Sequence, residues 1–191
     1  ASFYNDLGVD VTIVEALPSI LPNEDTDISK IVKLSFEKRG IKIKTSSVLK
    51  SVTTKENSVS AEIITNEKVE TINSEKLILA IGIIANTEKL GLKDFNVKID
   101  KGHIVTNEFL ETDEKGVYAI GDITDGPWLA HKASHEGILC VEKIAGHKNL
   151  KPIDKTSIPG CTYCRPQVAS IGMTETQARS KNLNLKIGKF P

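Results

Sequence analysis

At 191 residues the chain has room for one large domain or two small ones, and its 39% apolar and 26% charged content is ordinary for a folded globular protein. Lys and Arg total 25 and Asp and Glu total 25, so the net charge is zero; with no basic stripe either, nucleic acid is excluded as an expected partner. The three cysteines, an odd number, argue against a secreted disulfide scaffold and suit a reducing compartment.

Ala1 to Leu7 reads as the rear of an amphipathic helix closed by Gly8. Val9 to Val14 is β-rich and mostly apolar, a strand ending at Glu15. Pro18 to Pro22 is a loop. Asp25 to Lys38 predicts a helix with Ile28, Ile31, Val32, Ser35 and Phe36 on one face and Gly40 at its end. Ile41 to Ile43 is strand-like. Val48 to Ile72 alternates polar and apolar with turn residues at Asn57-Ser58 and Asn66-Glu67, an antiparallel meander. Lys76 to Ile81 reads as a core strand. The apolar run from Leu77 to Ala85, the longest in the chain, falls short of the ~20 residues a membrane span needs.

From about Asn86 short segments rich in Gly, Asn and Asp lead to a polar turn, Thr112 to Gly116. A short strand, Val117 to Ile120, stops at Gly121-Asp122. A loop with Gly126-Pro127 follows, then a long helix from Leu129 to Ala145, with Ala133, Gly137, Ile138, Val141 and Ile144 as its expected buried face. Lys148 to Lys155 is a polar linker. Val168 to Ile171 is a strand, Thr174 to Gln177 has the spacing of a capping box, and Leu185 to Ile187 is strand-like. There are no repeats and no low-complexity tract. A helix without a visible start at one end and a stop just after a strand at the other lead us to expect an internal fragment of a longer protein.

Strand, Gly121-Asp122, loop, helix is the way an α/β sheet presents a polar cofactor at the carboxyl end of a strand. Gly121 permits close approach to the backbone, Asp122 offers a carboxylate to hydroxyls, and the helix start offers unpaired N–H groups. Glu15 stands at a strand end where, in a Rossmann unit, an acidic residue accepts hydrogen bonds from ribose hydroxyls and disfavours an extra phosphate. The glycine fingerprint of such a unit lies about 20 residues earlier, upstream of Ala1. Cys161 and Cys164 have the spacing of a thioredoxin-like pair or half a zinc site. Arg165-Pro166 follows where a helix start is needed, and no second cysteine pair supplies the remaining zinc ligands, so a strand or loop position is the expected reading. A metal or interaction module built on the two cysteines is the alternative. Cys140 falls within the long helix and is expected to be packed. His103, His135 and His147 are isolated and are expected at the surface.

Residues 112–137, together with 8–22 and 157–191, resemble the flavoprotein disulfide reductases, the class I pyridine nucleotide-disulfide oxidoreductases. The Trp128 to Ala133 ending resembles the members that oxidise dihydrolipoamide. The implied fold is α/β, part of a flavoprotein with two dinucleotide-binding domains, plus the start of an α+β dimerisation domain. Residues 1–86 would be the rear of the NAD-binding domain, 87–150 a central segment completing the FAD site, and 151–191 the opening of the interface domain through which such enzymes form homodimers. The resemblance implies FAD and NAD as cofactors. It assigns Asp122 to the ribityl and pyrophosphate part of FAD, with Gly121 beside it in the cofactor site, and the backbone of Trp128, Leu129, Ala130 and His131 to the isoalloxazine ring. It places Glu15, Val48 and Gly82 at NAD.

The resemblance further implies that the whole enzyme oxidises dihydrolipoamide on the lipoyl domains of 2-oxo acid dehydrogenase complexes and reduces NAD, in a bacterial cytoplasm or a mitochondrial matrix. Glutathione and mercuric reductase types are the rivals within the family; Glu15 favours NAD over NADP. No membrane association is implied. The family's redox cysteines, four residues apart in its first FAD domain, and its catalytic histidine–glutamate pair have no counterpart here. No residue of the chain is therefore assigned catalysis, and the segment is expected to be inactive alone. One departure stands out: many members carry Gly-Arg-x-Pro-Asn-Thr where this chain has Gly82-Ile83-Ile84-Ala85-Asn86-Thr87.

Overall fold

The computed structural model describes residues 1–190. They form two units, Ala1–Leu79 with the residues from Pro159 onward, and Ala80–Ile158.

The first unit opens with helix α1 (Ser2–Asp6) and strand β1 (Thr12–Val14). Helix α2 (Thr26–Lys38) then leads to β2 (Lys42–Lys44), which pairs parallel to β1 with Ile13 opposite Ile43. The α2 face that turns inward is Ser29, Val32 and Phe36. Ile28 and Ile31, expected inside, are exposed. Ser29 earns its place by donating its hydroxyl to the Leu21 carbonyl at 3.0 Å, so the buried polar group is satisfied.

The meander is present as β3 (Ser47–Lys55), β4 (Ser58–Thr65) and β5 (Lys68–Ser74), in the order β3-β4-β5 and antiparallel throughout. Its second turn is Asn66-Glu67 with φ of 48° and 63°, the pair of left-handed residues whose twist matches a two-residue hairpin. Alternation puts Ala61 and Ile63 of β4 in the interior.

The expected core strand at Lys76 to Ile81 does not form. Ile78, Leu79, Ile81, Ile83 and Ile84 are all exposed, and no strand among the described residues pairs with them. A strand's polar backbone is satisfied by neighbours, so an apolar run without a ladder partner does not become a strand.

The second unit contains the short hairpin β6 (Ile99–Asp100) and β7 (His103–Ile104), a 3₁₀ turn at Gly121–Ile123, and helix α3 (Ala130–Ile144). Val117 to Ile120 was expected as a strand. It is held by a single bridge between Tyr118 and Glu111 and by the Ala119 N–H donating to the Leu110 carbonyl at 3.0 Å. The core here is Leu110, Leu139 and Cys140, flanked by Phe109, Tyr118, Leu150 and Ile153. Helix α3 buries Lys132, Glu136, Leu139 and Cys140, whereas Ile138, Val141 and Ile144, expected inside, are exposed.

The chain then returns to the first unit through β8 (Gly160–Thr162) and β9 (Val168–Ser170), an antiparallel pair, and α4 (Glu175–Ser180). Val168 joins Ile20, Val32, Phe36 and Ile41 in one cluster. The capping box at α4 is complete: Gln177 N–H donates to Thr174 Oγ1 at 3.2 Å, and Thr174 N–H donates to Gln177 Oε1 at 3.0 Å. Leu185 to Ile187 forms no strand, since nothing pairs with it among the described residues. No helix among the described residues is long and apolar enough to cross a membrane.

Candidate functional site

In the first unit Glu15 follows the last residue of β1. Its N–H donates to the Lys44 carbonyl at 2.8 Å and its carbonyl accepts the Ser47 N–H at 3.0 Å, so its backbone is fixed between β2 and β3. Its Oε1 accepts the Leu17 N–H at 2.8 Å, which orients the carboxylate at the strand end. Val48 is the next residue along from Ser47, 55% exposed on β3 opposite Ile64. Glu15 and Val48 are thus linked through the Ser47 N–H, which bonds the Glu15 carbonyl one residue before Val48. Gly82 belongs to the other unit, in the exposed 80–84 run, with φ of 144°.

The second unit assembles Gly121, Asp122 and the Trp128 to His131 approach to α3. Gly121 is buried and has φ of 76°; a Cβ there would stand 3.3 Å from the Ala133 Cβ, so the turn lies tight against the first turns of α3. Asp122, next in the chain, is exposed and forms no ion pair among the described residues. Leu129 is the N-cap of α3 and no side chain caps it. The first N–H groups of a long helix therefore carry their partial positive charge beside the Gly121 turn. Trp128 is half-buried and meets the His103 ring edge-on at 6.0 Å between centroids. His131 is exposed.

Beneath this surface lies a polar group that the apolar periodicity of α3 did not reveal. Lys132 is 1% exposed, and its Nζ donates to the Gly121 carbonyl at 3.1 Å and to Thr124 Oγ1 at 3.0 Å. The same Nζ pairs with Glu136 Oε1 at 3.0 Å. The other Glu136 oxygen accepts the Gly121 N–H at 2.6 Å, and Thr124 Oγ1 donates to the Gly121 carbonyl at 2.8 Å. The signal available in the sequence was a Lys-x-x-x-Glu step, one helical turn apart, at the start of α3.

His103 also departs from expectation. It is half-buried, and its Nε2 is buried without a hydrogen-bond partner among the described residues. His135 and His147 are exposed as expected. A cavity of about 890 Å³ in this unit is lined by Asp100, His103, Thr124, Asp125, Glu136 and Leu139 among others; neither Asp122 nor Trp128 contributes to it. At its rim the Lys155 ammonium, hydrogen-bonded to Asp125, holds that carboxyl below its ordinary range, with help from the charge of Lys155 itself.

Cys161 is exposed in β8, and Cys164 lies half-buried just beyond it, its thiol donating to the Pro166 carbonyl at 3.0 Å. Burial, then the neighbouring Cys161, pushes the Cys164 thiol up, which favours the protonated form over a nucleophilic or metal-binding thiolate. Among the described residues no group of three or more His, Cys, Asp or Glu side chains is arranged to hold a metal. Cys140 is packed in the second core, where burial and then the charge of Glu111 raise its pKa.

A family model described as pyridine nucleotide-disulphide oxidoreductase matches residues 1–137, and the model of that family's dimerisation domain matches residues 158–191. The chain is 47% identical, over 191 residues, to the dihydrolipoyl dehydrogenase of Rhizobium etli, covering 100% of this chain and 40% of that protein. It is 47% identical to the enzyme of the same name from Zymomonas mobilis, covering 41% of it, and 42% identical to that from Bacillus subtilis, covering 40% of it. Among solved structures, LpdA from Mycobacterium tuberculosis superposes with a TM-score of 0.85 at 26% identity, over 94% of this chain and 39% of that one. The flavoprotein disulfide reductase RclA from Escherichia coli shares the fold, with a TM-score of 0.82 at 24% identity over 94% of this chain and 40% of that one. The chain thus spans about two fifths of the length of the relatives it matches.

Proposed function

The chain belongs to the pyridine nucleotide-disulphide oxidoreductase family, and on that premise we propose that it is a segment of a dihydrolipoyl dehydrogenase. The complete enzyme would reoxidise dihydrolipoamide carried on the lipoyl domains of 2-oxo acid dehydrogenase complexes and reduce NAD. The observation that carries this reading is similarity along the whole chain, 47% identity over 191 residues, to a protein named dihydrolipoyl dehydrogenase. A bacterial cytoplasm or a mitochondrial matrix would suit it, and residues 151–191 would open the interface of a homodimer. In the same reading residues 1–86 close the NAD-binding domain and 87–150 complete the FAD site.

FAD, when bound, carries electrons between a disulfide and a nicotinamide, and the protein supplies binding and orientation. Two features support its fit. Asp122 stands exposed beside a helix start with no side-chain cap, offering acceptor and donors together to a ribityl chain and a pyrophosphate. The Gly121 turn lies so close to Ala133 that a side chain at residue 121 would push the turn away from the start of α3, separating Asp122 from the helix N–H groups. In this reading Gly121 and Asp122 hold the polar part of FAD, and the backbone of Trp128, Leu129, Ala130 and His131 lines the ring. Glu15, oriented by the Leu17 N–H, accepts from the adenosine ribose hydroxyls of NAD; Val48 and Gly82 line that site. The segment carries neither redox cysteines nor the acid–base pair, so its role is to hold and orient the cofactors.

The test uses the complete protein that contains this chain. It is expected to purify with a flavin absorbance band and to form NADH when given dihydrolipoamide and NAD. Asp122→Ala is expected to weaken FAD binding by roughly tenfold or more, the cost of losing hydrogen bonds to a charged group. A colourless complete protein that retains no flavin after incubation with FAD and removal of the free cofactor would sink the reading.

A further inference from the structure

The buried Lys132–Glu136 pair has no part in the roles just assigned, and it stands under the Gly121 turn from which Asp122 leaves. Gly121 is held on both sides of its Cα. Its N–H donates to Glu136 at 2.6 Å, and its carbonyl accepts from Lys132 at 3.1 Å and from Thr124 at 2.8 Å. Lys132 has three donors, and all three are used, on Gly121, Thr124 and Glu136. The side chains are 1% and 5% exposed, so each bond acts where water does not compete.

A pair this deeply buried is a weak source of stability, because desolvation of two charges offsets their attraction. What it supplies here is geometry. It fixes a residue whose φ of 76° is unfavourable for anything but glycine, and so fixes the direction in which Asp122 leaves the turn. We infer that Lys132, Glu136 and Thr124 are positioning residues for the flavin site: they hold the Gly121 peptide so that Asp122 and the start of α3 face the cofactor together. This inference rests on the reading of the site as the flavin site.

Two variants of the complete protein test it. Thr124→Val keeps charge and near-equal volume and removes both hydroxyl bonds, the one donated to the Gly121 carbonyl and the one accepted from Lys132. Lys132→Met with Glu136→Leu removes both charges at once, so no buried charge is stranded, and the cost that remains is the Gly121 N–H left without its Glu136 acceptor. Apoprotein is prepared from each, and the FAD dissociation constant and the thermal midpoint of the apoprotein are measured side by side. A positioning role predicts an FAD Kd raised roughly fivefold in Thr124→Val, a typical hydrogen-bond effect, and roughly a hundredfold in the double variant, with a shifted flavin spectrum. The apoprotein midpoint of Thr124→Val stays within a few degrees.

An unchanged Kd in Thr124→Val overturns the inference, whatever becomes of the double variant. So does a Kd that returns to the parent value in a well-folded double variant, because then the pair serves folding only. Failure of the parent protein to bind FAD strikes the functional reading instead and is seen before any variant is made.

Discussion

Gly121 and Gly82 both follow a short apolar run and both adopt a positive φ, yet their surroundings are opposite. Around Gly121 the structure places a lysine, a glutamate and a threonine, all buried and mutually hydrogen-bonded. Around Gly82 it places Ile81 and Ile83, at 88% and 66% exposure, and nothing within 4 Å of where a Cβ would sit. The polar turn is the ordered one and the apolar turn the open one. Hydrophobicity favours burial, but a strand or turn becomes part of a core only when some neighbour satisfies its backbone. The Gly121 turn finds that neighbour within one helical turn of α3, while the Leu77 to Ile84 stretch needs partners distant in sequence.

The sharpest way to break this contrast is to strand one charge of the buried pair. Lys132→Met alone leaves Glu136 without its cation, and the expected loss in the complete protein is about 3–5 kcal/mol of unfolding free energy in a denaturant titration. A loss below ~1 kcal/mol would mean that water reaches Glu136 and the clamp is open in solution.

The second test compares the glycines directly. Gly121→Ala adds a methyl group 3.3 Å from the Ala133 Cβ on top of an unfavourable φ, whereas Gly82→Ala meets strain alone. We expect about 2 kcal/mol for the first and about 1 kcal/mol less for the second, read as shifts in the urea midpoint. Equal costs would show that backbone strain decides both positions and that packing against α3 counts for nothing.

The smallest effect sharpens the comparison from the exposed side. Lys155 and Asp125 form an ion pair at 3.2 Å with side chains 55% and 88% exposed. The pKa of Asp125 is lowered in the folded protein, so its contribution is present above the unfolded carboxylate pKa and is lost as pH falls through the folded value. Screening by water keeps that contribution small. Asp125→Asn should therefore change the stability difference between neutral and strongly acidic pH by no more than a few tenths of a kcal/mol, measured by thermal unfolding.

What could be read from the sequence follows the same division. The meander, the extent of α2 and the capping box at Thr174 depend on contacts a few residues away, and periodicity and turn chemistry disclosed them. The Gly121-Asp122 turn was legible for the same reason. The strands expected at Lys76 to Ile81 and Leu185 to Ile187 depend on distant partners, and composition alone cannot supply a partner. On α3 the apolar residues do not mark the inward face. Ile138, Val141 and Ile144 point outward, and the helix instead turns a lysine and a glutamate to the turn before it. His103 was expected at the surface, since a lone histidine gives no sign that an indole will cover it.

That indole has an optical consequence. Trp128 is the only tryptophan in the sequence, and it sits at the approach to α3 with an imidazole edge-on to its ring. Indole emission from this stretch of chain is therefore a single-site signal. Its wavelength reports the polarity of one loop, and its quenching, by energy transfer to any yellow chromophore that binds nearby, gives a distance without a label being added.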